Sequence, residues 1–407
     1  MKTFLTILSA LISVSVHAGW VKQTSPVTTD LYSVTSHHGN DNFTWICGEG
    51  GVILFTSNGG INWTVQNSGT TADLHAIVFM EIAGGPVFAC GENGTMLYTM
   101  NNGSDWISIN MNTNKTLRDI SDFNFIAVGD SGIIFRSTNS GLNWQSIQSP
   151  VTADLYAVSG TFGYYAVGKS GTIIKGINLG QDWSELTSGI TNDLYGVPLF
   201  GRVDIAVGDN GLILGSSNFG ASWYSQNSFT NSTLKSIEYS ANNTSRIISA
   251  GDNGVILKST DYGTTWGSQI SGTSENLNSI FFYLGDSRGF ACGDNGTILR
   301  TTDGGGVFTE ITNSSAEKIA DYSLSQNFPN PFNPKTIIKY HIPVSGFVTL
   351  KIYDALGNEV KAIVNEKQSA GSYETAFDGN GISSGIYFYS LYSDGILRDT
   401  KRMLLLK

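Results

Sequence analysis

Short runs in which apolar and polar residues alternate punctuate the chain from residue 30 onward, as in Asp30-Leu31-Tyr32-Ser33-Val34, Asp154-Leu155-Tyr156-Ala157-Val158 and Asp193-Leu194-Tyr195-Gly196-Val197. Period-two alternation of this length predicts half-buried β-strands. The strands come in units. Each unit closes on a turn such as Thr56-Ser57-Asn58-Gly59-Gly60-Ile61-Asn62-Trp63, and the equivalent aromatic residues are Trp63, Trp106, Trp144, Trp183, Trp223, Trp266 and Phe308. Their spacing of 38 to 43 residues matches one four-stranded blade, so the fold is expected to be all-β, with a seven-bladed β-propeller over residues 19–312.

Ahead of each closing turn lies a glycine-framed tetrad: Gly48–Gly51, Gly91–Gly94, Gly129–Gly132, Gly168–Gly171, Gly208–Gly211, Gly251–Gly254 and Gly293–Gly296. Asn-Gly between apolar runs signals a tight hairpin, because both residues tolerate positive φ. The closing turn carries Ser or Thr, Asn or Asp two residues on, Gly two later and Trp three after that. This pattern resembles the Asp-box of sialidase-type propellers. Its logic is local: the Asn or Asp side chain bonds nearby backbone, Gly supplies φ freedom and Trp staples the turn. Asn58, Asn101, Asn139, Asn178, Asn218, Asp261 and Asp303 therefore read as structural, since a residue needed in every blade does not mark one site. Near the start, Trp20-Val21-Lys22-Gln23-Thr24-Ser25 is similar to the outer strand Trp63–Ser68 but has no inner strands before it. It is expected to add to, or replace, the outer strand near Phe308 and so close the ring.

Composition changes the picture in three places. Lys2, the apolar run Phe4–Val14 and the small residues of Val16-His17-Ala18 predict a signal peptide over residues 1–18 and a mature chain from Gly19. No other run approaches the roughly 20 apolar residues of a membrane helix. The 33 acidic residues outnumber 23 basic ones, for a net charge of −10, which opposes nucleic acid as a partner. Cys47, Cys90 and Cys292 stand where other blades carry Val or Ala, so they read as core thiols, and no CxxC or Cys/His cluster suggests zinc. No metal or cofactor is expected.

The repeat ends near residue 312, and a polar linker over residues 313–321 leads into residues 322–407. There, short alternating strands predict a small C-terminal Ig-like β-sandwich. Phe328-Pro329-Asn330-Pro331-Phe332-Asn333-Pro334, Ile352-Tyr353-Asp354, Ser384-Gly385-Ile386-Tyr387 and the tail Lys401–Lys407 resemble the type A sorting domain of type IX secretion cargo. The resemblance implies export to the periplasm and then across the outer membrane, with the secretion machinery as partner and a secreted or cell-surface destination. Lys401, Arg402 and Lys407 become recognition candidates, on a last strand expected to present a free edge or end. The propeller, through its GDNG-type hairpins and box turns, resembles the photosystem II assembly and stability factor family. That implies, as a second reading of function, an assembly protein of the cell envelope.

Positions that differ between repeats are the better functional candidates, because the fold does not dictate them. After the strand-opening Leu the units carry Tyr32, His75, Arg118, Tyr156, Tyr195, Lys235 and Asn278. On inner strands these would ring the axis, and such a mixture suits a sugar, peptide or anionic ligand. The tetrad tips form a second ring of Glu49, Glu92, Asp130, Asp209, Asp252 and Asp294, with Lys169 the basic exception. Carboxylates there would attract cations or a basic protein. A sialidase-like glycoside hydrolase is the third reading, and it requires an arginine triad, a nucleophile pair and an acid. The propeller has only Arg118, Arg136, Arg202, Arg246, Arg288 and Arg300, with no Arg-Ile-Pro motif before the first turn. The expectation is a secreted, non-catalytic propeller that binds a protein or polysaccharide through its variable face.

Overall fold

A computed structural model describes residues 19–310 and 323–406, apart from 38–39, 41, 81–84, 122–124, 161–163, 199–203, 241–242, 283–286, 307–308, 343–344, 355–357, 370 and 394. The expected signal peptide and linker, together with Phe308 and Lys407, lie outside the described residues. The chain divides into two compact units, one ending at Ile311 and one beginning at Thr312.

In the first unit, seven antiparallel sheets follow one another along the chain. Blade one takes its strands in order from Leu31–Ser36, Thr44–Gly48, Ile53–Thr56 and Thr64–Gln66, and blades two to six repeat this order. Apolar residues from facing sheets build the cores. Leu31, Val34, Ile46, Leu54 and Trp63 of blade one pack with Phe290, Cys292 and Ile298 of blade seven, which makes the ring continuous. The three thiols are buried and free, and burial pushes each of them well above its ordinary pKa.

Blade seven is made from both ends of the propeller. Its inner strands are Leu277–Phe282, Gly289–Gly293 and Thr297–Thr301, and its outer strand is Val21–Lys22, with Val21 opposite Arg300 and Lys22 opposite Leu299. Trp20 completes the seventh closing turn: its indole N–H donates to Gln269 Oε1 at 3.1 Å, as Trp106 does to Gln66 and Trp266 to Gln226. Gly19 lies so close to the turn that a Cβ on it would stand 1.9 Å from the Gly305 carbonyl carbon. The N-terminal segment thus closes the ring as expected, by supplying the outer strand of blade seven. With the outer position already filled, Thr309–Glu310 pairs with Gly267–Gln269 as a fifth strand of blade six.

The closing turns explain their own sequence. Thr56 Oγ1 accepts the N–H groups of Asn58 and Gly60 at 3.3 and 3.0 Å, and Asn58 Oδ1 accepts that of Asn62 at 3.0 Å. Blade four departs from the pattern, with Gly176 in place of Ser or Thr. The Trp183 ring lies on it, 2.9 Å from where a Cβ would stand, so only glycine fits. In the tetrads the first glycine is required by close approach: a Cβ on Gly91 would stand 1.8 Å from the Asp73 carbonyl oxygen.

The second unit is a pair of sheets. One contains Ser323–Leu324, Lys335–Ile342 and Gly371–Asp378; the other runs Glu359–Gln368, Gly346–Tyr353, Gly385–Ser393 and Ile396–Leu405. Ile338, Tyr340 and Ile342 of the first meet Leu350, Ile352, Tyr389 and Met403 of the second in a common core. The tail is the edge strand, but its end is not free. Phe332 donates its N–H to the Leu404 carbonyl at 2.9 Å and accepts that of Leu406 at 3.0 Å, while Gln326 caps the Arg402 carbonyl at 2.7 Å. The Pro-rich segment therefore covers the backbone edge over residues 402–406, where the sequence suggested an open one. The Arg402 side chain is exposed, and Lys401 pairs with Asp399 at 3.2 Å.

Candidate functional site: the mouth of the central channel

Every innermost strand breaks its pairing register at the residue after its opening Leu. The interruptions fall between Leu31 and Ser33, Leu74 and Ala76, Leu117 and Asp119, Leu155 and Ala157, Leu194 and Gly196, Leu234 and Ser236, and Leu277 and Ser279. The skipped residues are Tyr32, His75, Arg118, Tyr156, Tyr195, Lys235 and Asn278. A β-bulge leaves one residue unpaired and re-aims its side chain. All seven line a single central cavity of about 220 Å³.

Around the ring the side chains form two aromatic pairs, each followed by a cation. Tyr32 stacks on His75 with centroids 5.4 Å apart, and Tyr156 on Tyr195 at 5.3 Å. Arg118 then bonds Asp130 at 2.8 Å, and Lys235 bonds Asp252 at 2.8 Å and Asn278 at 3.0 Å. Asn278 donates to Asp294 Oδ1 at 2.9 Å. The two rings named from sequence are thus interlocked: Asp130, Asp252 and Asp294 hold members of the inner ring. Asp209 bonds the Tyr195 hydroxyl and accepts from Thr233 Oγ1 at 3.3 Å. Burial and neighbouring carboxylates push Tyr32 and Tyr156 up to about 12, so both stay neutral phenols.

Sequence reasoning missed a third set, the acidic or amide residue just before the strand-opening Leu in five of the seven blades, Thr116 and Thr233 standing there in the other two. The N–H of Gly50 donates to Asp73 Oδ1 at 2.8 Å, Ser131 to Asp154 at 2.7 Å, Ser170 to Asp193 at 2.7 Å, Asn253 to Asn276 at 3.0 Å and Asn295 to Asp30 at 2.9 Å. Each bond ties one blade's tetrad to the next blade, and the last ties blade seven to blade one. The signal was visible as the Asp-Leu that opens several units. Only the ring geometry gives it an acceptor's role.

His75 is held below its ordinary pKa by burial and by Arg118, against the opposing pull of Asp73, Glu92 and Asp130. A histidine with a depressed folded-state pKa contributes stability that is present above its unfolded value and lost as pH falls below it. The unfolded value is 6.5. Between pH 7.5 and 5.5, above the ordinary carboxylate range, the melting temperature is expected to fall, and His75→Gln is expected to flatten that slope. Its ceiling is about 1.4 kcal/mol per pH unit. Thermal unfolding of both proteins across this range checks it; identical slopes would assign the effect elsewhere.

Fold and mouth together define a class: a seven-bladed propeller with Asp-box turns that presents one non-repeating polar side chain per blade, on a bulge, to a central cavity. Within that class, the chain belongs to the photosynthesis system II assembly factor YCF48 family, whose model matches residues 12–302. Residues 326–405 match the secretion system C-terminal sorting domain. Among solved structures, the chain is similar to YCF48 from Cyanidioschyzon merolae, with a TM-score of 0.59 and 18% identity over 70% of this chain and 99% of that one. It is similar also to YCF48 bound to D1 peptide, with a TM-score of 0.59 and 19% identity over 70% and 97% of the two chains. The WD40 repeats of RRP9 share the fold at a TM-score of 0.59 but only 6% identity, over 70% of this chain and 98% of that one. No curated protein matches. The sorting domain makes this a secreted or cell-surface protein that engages the type IX secretion machinery. Among the described residues no helix is long and apolar enough to cross a membrane.

Proposed function

We propose that the propeller is a non-catalytic binding module that captures a protein partner at the cell surface through the mouth of its central channel. The observation that carries this reading is the set of seven bulges. The repeat places structural residues alike in nearly every blade, yet at the bulge it aims seven side chains of five kinds, three Tyr with His, Arg, Lys and Asn, into one cavity. Pockets with convergent polar groups are where ligands bind.

A second reading, an assembly factor retained in the envelope, is favoured by membership of the YCF48 family and by the solved complex of YCF48 with a D1 peptide, in which the same fold holds a polypeptide. Both readings use the mouth. The triple variant His75→Ala, Tyr156→Ala, Tyr195→Ala is expected to lose partners that the native protein retains in crosslinking from intact cells, while keeping its unfolding transition within a few degrees. Equal retention by the folded triple variant would sink the mouth as the binding site. Turnover in a screen of glycan substrates would promote the hydrolase instead.

A further inference from the structure

The outward face of the smaller sheet in the second unit carries an apolar centre inside a charged frame. Alternation along Lys335–Ile342 buries Thr336, Ile338, Tyr340 and Ile342 and leaves Lys335, Ile337 and Lys339 exposed. Across the strand pair these three face Asp378, Ala376 and Glu374, which are exposed as well, and the flanking residues form ion pairs, Lys335 with Asp378 at 3.8 Å and Lys339 with Glu374 at 3.6 Å. On the other side of Ile337 lies Phe328. The two exchange backbone hydrogen bonds, each N–H donating to the other's carbonyl at 3.0 Å, so their side chains share this face. Phe328 is 79% exposed, the highest value for a large apolar side chain among the described residues of the second unit, and Ile337 is 44% exposed.

That ring is held in place from both sides. The preceding residue, Asn327, is buried, and its N–H donates to the Tyr389 hydroxyl at 2.7 Å. The following residue, Pro329, has its carbonyl bonded by the Asn327 amide at 3.0 Å and by Thr336 Oγ1 at 2.9 Å. The same segment turns Phe332 into the core and Phe328 out of it. A single exposed apolar residue is ordinary on a protein surface. An aromatic ring beside an aliphatic one, bordered by charges, has instead the make-up of an interface centre with its polar rim. Fixing the ring beforehand lowers the ordering cost that binding must meet.

The match to the secretion system sorting domain begins at Gln326 and so takes in the whole patch. The segment that bears Phe328 also grips the tail strand, where Asn330 Oδ1 accepts the Leu404 N–H at 2.9 Å. We infer that this patch docks the sorting domain onto an apolar pocket of the type IX secretion machinery, with Phe328 as the anchor, Ile337 beside it and the two ion pairs as the rim. Delivery of the protein, not the mouth of the propeller, depends on it.

The test uses the full chain in cells that carry the secretion machinery. A photoreactive benzophenone side chain replaces Phe328 or, as the control, Phe347, which is 47% exposed on the other sheet. Illumination is expected to join position 328 to an envelope protein of the machinery and position 347 to none. Absence of a product at 328, the same product from both positions, or products only with the propeller or a second copy of the chain would overturn the assignment. In parallel, Phe328→Ser is expected to lower the protein at the cell surface about tenfold, as loss of an interface anchor does, with the unexported form gathering in the periplasm. Phe328→Tyr, which keeps the ring, is expected to be exported normally. Limited proteolysis shows whether the serine variant is folded. Normal export of that variant would overturn the assignment, and if it is unfolded the crosslink decides.

Discussion

Replacing Trp20 by alanine is expected to destabilise the propeller by about 3–5 kcal/mol, the range for truncating a large buried aromatic. Trp20 is 2% exposed and stands edge-on to Phe282 with centroids 5.8 Å apart. Its indole N–H is bonded to Gln269, itself buried, which the substitution leaves with one partner fewer. The strand it anchors is short, with only two residue pairs to Thr297–Thr301. Loss of the anchor therefore removes most of what keeps blade seven four-stranded, and deletion of residues 19–23 is expected to cost more still. Val21→Ala, at a side chain 56% exposed, is the control and should change stability by no more than about 0.5 kcal/mol. Denaturant unfolding of the three variants decides the matter. A Trp20→Ala loss below about 1 kcal/mol would mean that backbone pairing, not the indole, closes the ring.

The second large effect is expected in the sorting domain, from Asn327→Ala. Asn327 is 2% exposed, and its side-chain amide donates to the Pro329 carbonyl at 3.0 Å and to Thr336 Oγ1 at 2.9 Å. Its backbone N–H donates to the Tyr389 hydroxyl at 2.7 Å, and that hydroxyl donates to the Ser325 carbonyl at 2.8 Å. These bonds hold the Pro-rich segment in the position from which Phe332 covers the tail strand. Removing the amide leaves the Pro329 carbonyl and Thr336 Oγ1, which remain bonded to each other, with one partner fewer each, and is expected to cost roughly 1–3 kcal/mol. Limited proteolysis should detect the loosened domain, and the amount of protein reaching the cell surface should fall. Loosening with normal export would mean that export does not depend on the covered edge.

Where the chemistry is local, the sequence was readable. In blades one to six the closing turn lies among residues within seven positions of one another, so Ser or Thr, Asn or Asp, Gly and Trp announce it. The exception, Gly176, was legible as a departure but not as a necessity, because the Trp183 ring that excludes a Cβ arrives through the fold of the strand pair. The seven variable positions could be found by comparing the repeats. Their convergence on one cavity depends on the inner strands lining the axis, and their orientation on a bulge opposite each tetrad glycine, which period-two alternation does not reveal. The pairing of Arg118 with Asp130 and of Lys235 with Asp252 spans 12 and 17 residues of chain and became visible only in space.

What the sequence determined by itself is the repeat, the blade count, the turns and a second β domain, which follow from backbone preferences and apolar periodicity acting over a few residues; that the second domain is a sorting domain came from its resemblance to a known family. Tertiary structure decided the rest. Ring closure joins Trp20 to Gln269 across 249 residues. The sorting tail becomes a covered edge because Phe332 comes to lie beside it. The mouth acquires its ion pairs because Arg118 meets Asp130 and Lys235 meets Asp252 in space. These are relations between distant segments, and such relations are set by packing and by Coulomb forces in three dimensions, not by the order of residues along the chain.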